Sequence, residues 1–255
     1  MRIIVGIAAG RFTGRTVIVT GAGSGIGRAT ALRVLQEGGR VVATDVIAGR
    51  LEQLAADAAS PELLTVDGDI SAPEVVERLL VSAGERIDGL ANVAGIMDGF
   101  LPTAEIDDST WERVMSVNVT ALMRLSRAVL PSMVAAGSGS IVNVASEAGL
   151  RGSAAGTAYT TSKHAVVGLT RSTAFYYTPS GVRCNAVAPG AVATNIEAPF
   201  RSEFAAARIG PFLQTTVPPV ATAEQLAAAI TWLLSDDSAN VSGTVLASDG
   251  GWAAV

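Results

Sequence analysis

Short runs rich in β-branched residues alternate with longer helical stretches along nearly the whole 255-residue chain. Thr16–Thr20 reads as a strand and is followed by a glycine-rich turn and a helix to about Gln36, which Gly38-Gly39 ends. Arg40–Asp45, Leu63–Val66, Ile87–Val93, Ser140–Ala145, Val182–Val187 and Thr244–Ala247 read as further strands. Helices are expected over about Pro73–Ser82, over Trp111–Ala135 with a bend or interruption near Pro131, around Tyr159 to Tyr176, and over Ala223–Leu234. This alternation predicts an α/β fold: a doubly wound parallel sheet of about seven strands with right-handed crossovers, in a single domain. A composition 49% hydrophobic and only 16% charged suits a buried sheet covered by closely packed helices.

The turn after the first run is Thr20-Gly21-Ala-Gly23-Ser24-Gly25-Ile26-Gly27. Glycine lets backbone N–H groups approach a ligand, and a helix N-terminus adds partial positive charge, so a pyrophosphate fits there. The pattern is T-G-x-x-x-G-x-G rather than G-x-G-x-x-G. Asp45 ends the second run, eighteen residues after Gly27. A carboxylate there accepts hydrogen bonds from the adenosine ribose hydroxyls and repels a 2′-phosphate. Neither Ser24 nor Val46 supplies a compensating cation, so NAD is expected over NADP.

Tyr159 and Lys163 lie four residues apart, and positions i and i+4 share one helix face. The unperturbed phenol pKa is about 10. A neighbouring cation lowers it, and a hydroxyl from Ser146, thirteen residues upstream of Tyr159, can hold a substrate oxygen. Together they outline a proton-transfer site for a carbonyl or an alcohol. Each residue also has a plain structural use. Ser146 could cap a turn, Asn118 could satisfy backbone groups inside its helix, Tyr159 could be a core residue, and Lys163 a solvated helix charge.

With these motifs in order, the chain resembles the short-chain dehydrogenase/reductase family from about Phe12 to Gly251. The resemblance rests on the glycine-rich turn, Asp69-Ile70, Asn92-Val-Ala-Gly95, Asn118, Ser146, Tyr159-x-x-x-Lys163, Pro189-Gly190 and Asp249-Gly-Gly251. It implies a Rossmann-like fold. It also implies that Tyr159 is the general acid or base and that Lys163 lowers its pKa and holds the nicotinamide ribose. Ser146 would hold the substrate oxygen, and Asn118 a water linking Lys163 to solvent. The cofactor would lie along Gly21, Ser24, Gly25, Ile26, Gly27 and Asp45. Asp69 and Ile70 would touch adenine, and Asn92, Ala94 and Gly95 would line the channel. Pro189, Gly190, Val192 and Thr194 would meet the nicotinamide. Val93 and Ser248 depart from the family's usual residues.

The expected reaction is hydride transfer between NAD(H) and a secondary alcohol or ketone. A 3-oxoacyl-carrier-protein reductase is a second reading, and a nucleotide-sensing or scaffold protein a third. Pocket walls are expected at Met97 to Leu101, Glu147 to Gly152 and Thr194 to Val217. The last, within a substrate loop over residues 191–218, resembles the family's mobile loop. Its Ile196, Phe200, Phe204, Ile209, Phe212 and Leu213 suggest a hydrophobic substrate, or else pack the loop or an interface. The resemblance implies a homotetramer or dimer.

A net charge of −5 argues against nucleic acid, and a single cysteine, Cys184, fits a reducing cytoplasm and reads as a buried small hydrophobe. No metal is expected from one histidine and one cysteine, and His164 is given a structural or interface role. Residues 1–11 read as a short extension rather than a targeting segment, and no unbroken apolar stretch reaches membrane-spanning length.

Overall fold

The structure, a computed structural model, describes residues 6–194, 196 and 199–254. Residues 1–5 of the expected extension, positions 195, 197 and 198 of the expected substrate loop, and position 255 lie outside the described residues.

Seven strands form one parallel sheet: β1 (Thr16–Thr20), β2 (Arg40–Asp45), β3 (Leu63–Asp67), β4 (Gly89–Asn92), β5 (Gly139–Val144), β6 (Val182–Pro189) and β7 (Val245–Ser248). Their order is β3-β2-β1-β4-β5-β6-β7, so the winding reverses between β1 and β4. In such sheets the crevice at that reversal, beyond the C-terminal strand ends, is where ligands bind. Successive side chains of a strand point to opposite faces. Ile18 of β1 packs with Leu79 of α3 (Pro73–Ala83) and with Leu125 and Met133 of α5 (Ala121–Ala136). Val17 and Val19 face the other way, toward Val34 of α1 (Gly25–Gln36) and Leu226 and Ile230 of α8 (Ala223–Leu234). Burial on both faces explains why β1 carries no charged residue.

Several elements differ from the sequence expectation. Helix α2 (Ala48–Ala58) fills a connection to which no helix was assigned; it buries only Leu51 and Leu54, one narrow stripe, and starts at Ile47 with no side-chain cap. The long helix begins earlier, as α4 (Asp108–Met115), with Asp107 accepting from the Thr110 N–H. Its interruption is a π-turn at Ser116–Thr120, not Pro131. Pro131 and Arg127 both face solvent, so water can meet the Arg127 carbonyl that proline cannot bond. Taken together, residues 108–136 are long and apolar enough to cross a membrane by length and composition. Arg113, Arg124 and Arg127 interrupt the apolar sequence, and the helix packs its Leu122, Leu125, Val129 and Met133 into the core. The expected substrate loop contains a helix, α7 (Glu203–Thr216), capped by Ser202.

Residues 6–11 are docked. The buried Glu37 carboxylate pairs with Arg11 at 2.6 Å and Arg33 at 3.1 Å, and accepts the Ala8 N–H at 3.2 Å. Arg11 also reaches Thr231 of α8 at 3.0 Å.

Candidate active site

A cleft of about 710 Å³ opens at the C-terminal ends of β1 and β4. Its near wall is the turn from β1 into α1. Gly27 must be glycine, because an added Cβ would lie 2.1 Å from the Gly21 carbonyl oxygen. Gly25 has φ +49°, and a Cβ there would press on Thr194 at 2.9 Å. The N-cap Ser24 makes no side-chain cap bond, which leaves the first N–H groups of α1 facing the cleft for an anion. These features fit a dinucleotide pyrophosphate. Gly21, Ser24, Gly25, Ile26 and Gly27 all line the cleft, as do Asp45, Asp69, Ile70, Ala94, Gly95, Pro189, Gly190, Val192 and Thr194.

Asn92 is the exception. It is fully buried and donates to Asn143 Oδ1 at 2.8 Å, behind the cleft wall. Asp45 is 8% exposed; its carboxylate accepts the Gly23 N–H at 2.9 Å and the Ile47 N–H at 3.0 Å. Arg50, absent from the sequence reading, also lines the cleft, and its Cβ and the Asp45 carboxylate both abut Gly23. It enters on the first turn of α2, so missing that helix hid it.

The reacting end is built on α6 (Thr157–Tyr177). Gly156 precedes this helix with no side chain to cap it. Asp98, from the loop after β4, does so instead: one oxygen accepts the Tyr159 N–H at 2.9 Å and the other the Phe100 N–H at 3.0 Å. Asp98 is buried and no sequence motif marked it. Tyr159 and Lys163 both face inward, with Lys163 Nζ 5.3 Å from the Tyr159 ring centre and donating to the Val144 carbonyl at 2.8 Å. Ser146 shares the cleft with Tyr159 and accepts the Ala148 N–H at 3.1 Å, so it caps the short 3₁₀ turn Glu147–Gly149.

Asn118 lies at the centre of the π-turn. Its Oδ1 accepts the Ile96 N–H at 2.9 Å, while Nδ2 donates to the Ile96 carbonyl at 3.0 Å and to Ser162 at 3.1 Å. Gly95 sits against both Asn118 Oδ1 and Lys163 Nζ; a Cβ there would be 3.4 Å from each. The carboxamide thus clamps the strand end that carries Gly95.

Burial dominates the electrostatics. It pushes the Tyr159 phenol up to about 12; the Ser146 hydrogen bond works against this and the Asp98 charge adds to it. Burial brings the Lys163 ammonium down to about 8. Lys163 is not among the groups that set the phenol pKa, so the lowering expected from the neighbouring cation is not found. Away from the cleft, the Cys184 thiol is buried and pushed up to about 12, and His164 is exposed with its ring bonded to the Thr160 carbonyl. Among the described residues no cluster of metal-ligating side chains occurs.

The expected pocket walls divide between two cavities. Met97 and Ile196 line the cleft. Phe100, Gly152, Phe204, Ile209 and Phe212 line a second cavity of about 550 Å³ beneath α7.

Comparison with known proteins agrees with this fold. The sequence profile of the short chain dehydrogenase family matches residues 15–204. The 3beta-hydroxysteroid dehydrogenase 2 of Eggerthella lenta is 38% identical, over 94% of this chain and 95% of that protein. The crystal structure of levodione reductase superposes with a TM-score of 0.87 at 36% identity, covering 96% of this chain and 99% of that one. A putative NAD(P)-dependent gluconate 5-dehydrogenase from Beutenbergia cavernae, solved with NADP bound at low occupancy, gives a TM-score of 0.85 at 37% identity, over 98% and 100% of the two chains. The chain belongs to the short-chain dehydrogenase/reductase family of oxidoreductases.

Proposed function

We propose that the protein is an NAD-dependent oxidoreductase that interconverts a secondary alcohol and an apolar ketone. The observation that carries this reading is the buried Tyr159, with Ser146 beside it in the cleft and Lys163 backing it where the cleft meets Pro189-Gly190. A bound nicotinamide supplies the hydride donor or acceptor. Ser146 Oγ holds the substrate oxygen, and the Tyr159 hydroxyl gives it a proton in reduction or takes one in oxidation. Lys163 stabilises the phenolate left after reduction, and it would also hold the nicotinamide ribose. Asn118, whose carboxamide bonds Ile96 and Ser162, holds the segment that carries Gly95 beside Lys163.

Asp45 supports NAD, and Met97 and Ile196 at the cleft support an apolar substrate, in keeping with the hydroxysteroid named for the Eggerthella relative. Arg50 favours a second reading, use of NADP, since it lines the cleft beside Asp45 and supplies a cation there that could meet a 2′-phosphate. A panel of alicyclic, steroidal and aryl ketones with their alcohols, assayed with NAD(H) and NADP(H), separates the two. The expected result is turnover with NADH at a kcat/KM at least about tenfold above NADPH. Tyr159→Phe should remove nearly all turnover and leave NADH binding intact; near-normal activity in that variant would sink the proposal.

A further inference from the structure

Three separated parts of the chain meet at Arg151. Its Nε pairs with the carboxylate of Glu147, the residue after Ser146. Its guanidinium lies 5.7 Å from the Phe212 ring centre on α7 and 5.1 Å from the Trp252 ring centre in the C-terminal turn. Nη2 also donates to the Trp252 carbonyl at 2.8 Å. Trp252 Nε1 donates in turn to Thr216, the last residue of α7, at 3.1 Å. Asp249 folds the C-terminal turn by accepting the Gly251 and Ala253 N–H groups at 2.9 and 2.7 Å. The other end of α7 is held independently, by Phe200 stacked on Phe100 at 4.3 Å and by the Arg201 N–H on the Gly99 carbonyl at 3.0 Å.

We propose that Arg151 is a positioning residue that fixes the Ser146 loop through Glu147 and locks the C-terminal end of α7 against that loop through Phe212 and Trp252. The inference rests on the reading of Ser146 as the group that holds the substrate oxygen. Arginine suits the place because its planar cation stacks on two rings while its edge still pairs with a carboxylate. Glu147 is 1% exposed. Burial raises its pKa; Arg151 counters this, and Asp249 adds to it. Without Arg151 the carboxylate must take up a proton or move toward water, and Ser146 moves with it.

Two readouts on the full-length Arg151→Met variant test this. Trypsin cleavage after Arg208, inside α7, should accelerate at least about tenfold, because the helix loses one of its two anchors. The kcat/KM for a ketone from the panel should fall about tenfold at pH 8 and recover as the pH drops and Glu147 protonates, with the NADH dissociation constant within about twofold of wild type. Adding Glu147→Gln to this variant should flatten the pH dependence. Phe212→Ala, which leaves the ion pair alone, should speed cleavage without changing the pH profile, and it separates loss of the clamp from misfolding. If Arg151→Met leaves either the Arg208 cleavage rate or the pH profile at its wild-type value, the proposal is wrong. Proteolysis needs no substrate, so a wild-type protein inactive on the whole panel defeats the functional reading while cleavage still decides the clamp.

Discussion

Lys163 is folded into a place that disfavours its charge, and this has a consequence that needs no substrate. Its folded pKa of about 8 lies below the ordinary 10.5. The native state therefore gives up this proton before the unfolded chain does, and stability rises with pH between about 8 and 10.5. Tyr159 acts in a higher window: its folded pKa of about 12 exceeds 10, so its contribution is full below pH 10 and is lost as the pH climbs toward 12. Cys184, whose thiol is also pushed up to about 12, has a contribution that is lost above about pH 9, but equally in wild type and in a Lys163 variant, so their difference isolates Lys163. Wild type should gain about 2 kcal/mol relative to Lys163→Met between about pH 8 and 10 in urea unfolding. Parallel stability curves for the two proteins would mean that Lys163 does not titrate there. Tyr159, Lys163 and Ser146 were legible from their spacing alone. Asp98 and Arg50 were not, because an isolated acid in a loop or an arginine on an unrecognised helix has no local signature.

At the scale of the element, α6 carries Tyr159 and Lys163 but begins without a cap of its own. Asp98 supplies the cap from another loop, and a Cβ on Gly156 would meet its carboxylate at 2.5 Å. Asp98→Ala should destabilise the protein by about 1–3 kcal/mol, since two buried N–H groups lose their acceptor. Asp98→Asn keeps an acceptor oxygen and should cost less. Removing the negative charge should also lower the Tyr159 pKa, moving the alkaline limb of the pH–rate profile for ketone reduction to lower pH. Thermal melts and that profile check the two effects separately. Strands were easy to read because burial on both faces forces continuous β-branched runs. Helices were harder: α2 buries just two leucines, and α7 holds a single buried residue, Ala205, among half-buried and exposed apolar ones. Neither presents the broad apolar stripe that periodicity detects. The interruption of the long helix was expected near Pro131 because proline is visible in a sequence, whereas the Asn118 bonds to Ile96 and Ser162 that accompany the π-turn are visible only in space.

Across the whole molecule, sequence order predicted the parallel sheet, and the reversal of winding between β1 and β4 then dictated where the cleft must open. What the alternation of elements did not reveal is how distant segments are tied down: residues 6–11 by Glu37, and the C-terminal turn by Arg151. Such ties join residues far apart in the chain, so no local pattern announces them. Cys184 illustrates the cooperativity that results. It is the chain's single sulfur nucleophile, 1% exposed on β6 between β5 and β7. Loop motion or fraying of α7 leaves it covered; its side chain lies with Leu125 and Val129 of α5 and Ala174 of α6, so the core under those helices must open to uncover it. Native protein should thus resist a thiol reagent in the mildly alkaline buffers where a free cysteine reacts within minutes, and the labelling rate under native conditions should report how often that core opens. One atom in the middle of the sheet thus serves as a built-in chemical stopwatch for whole-molecule unfolding.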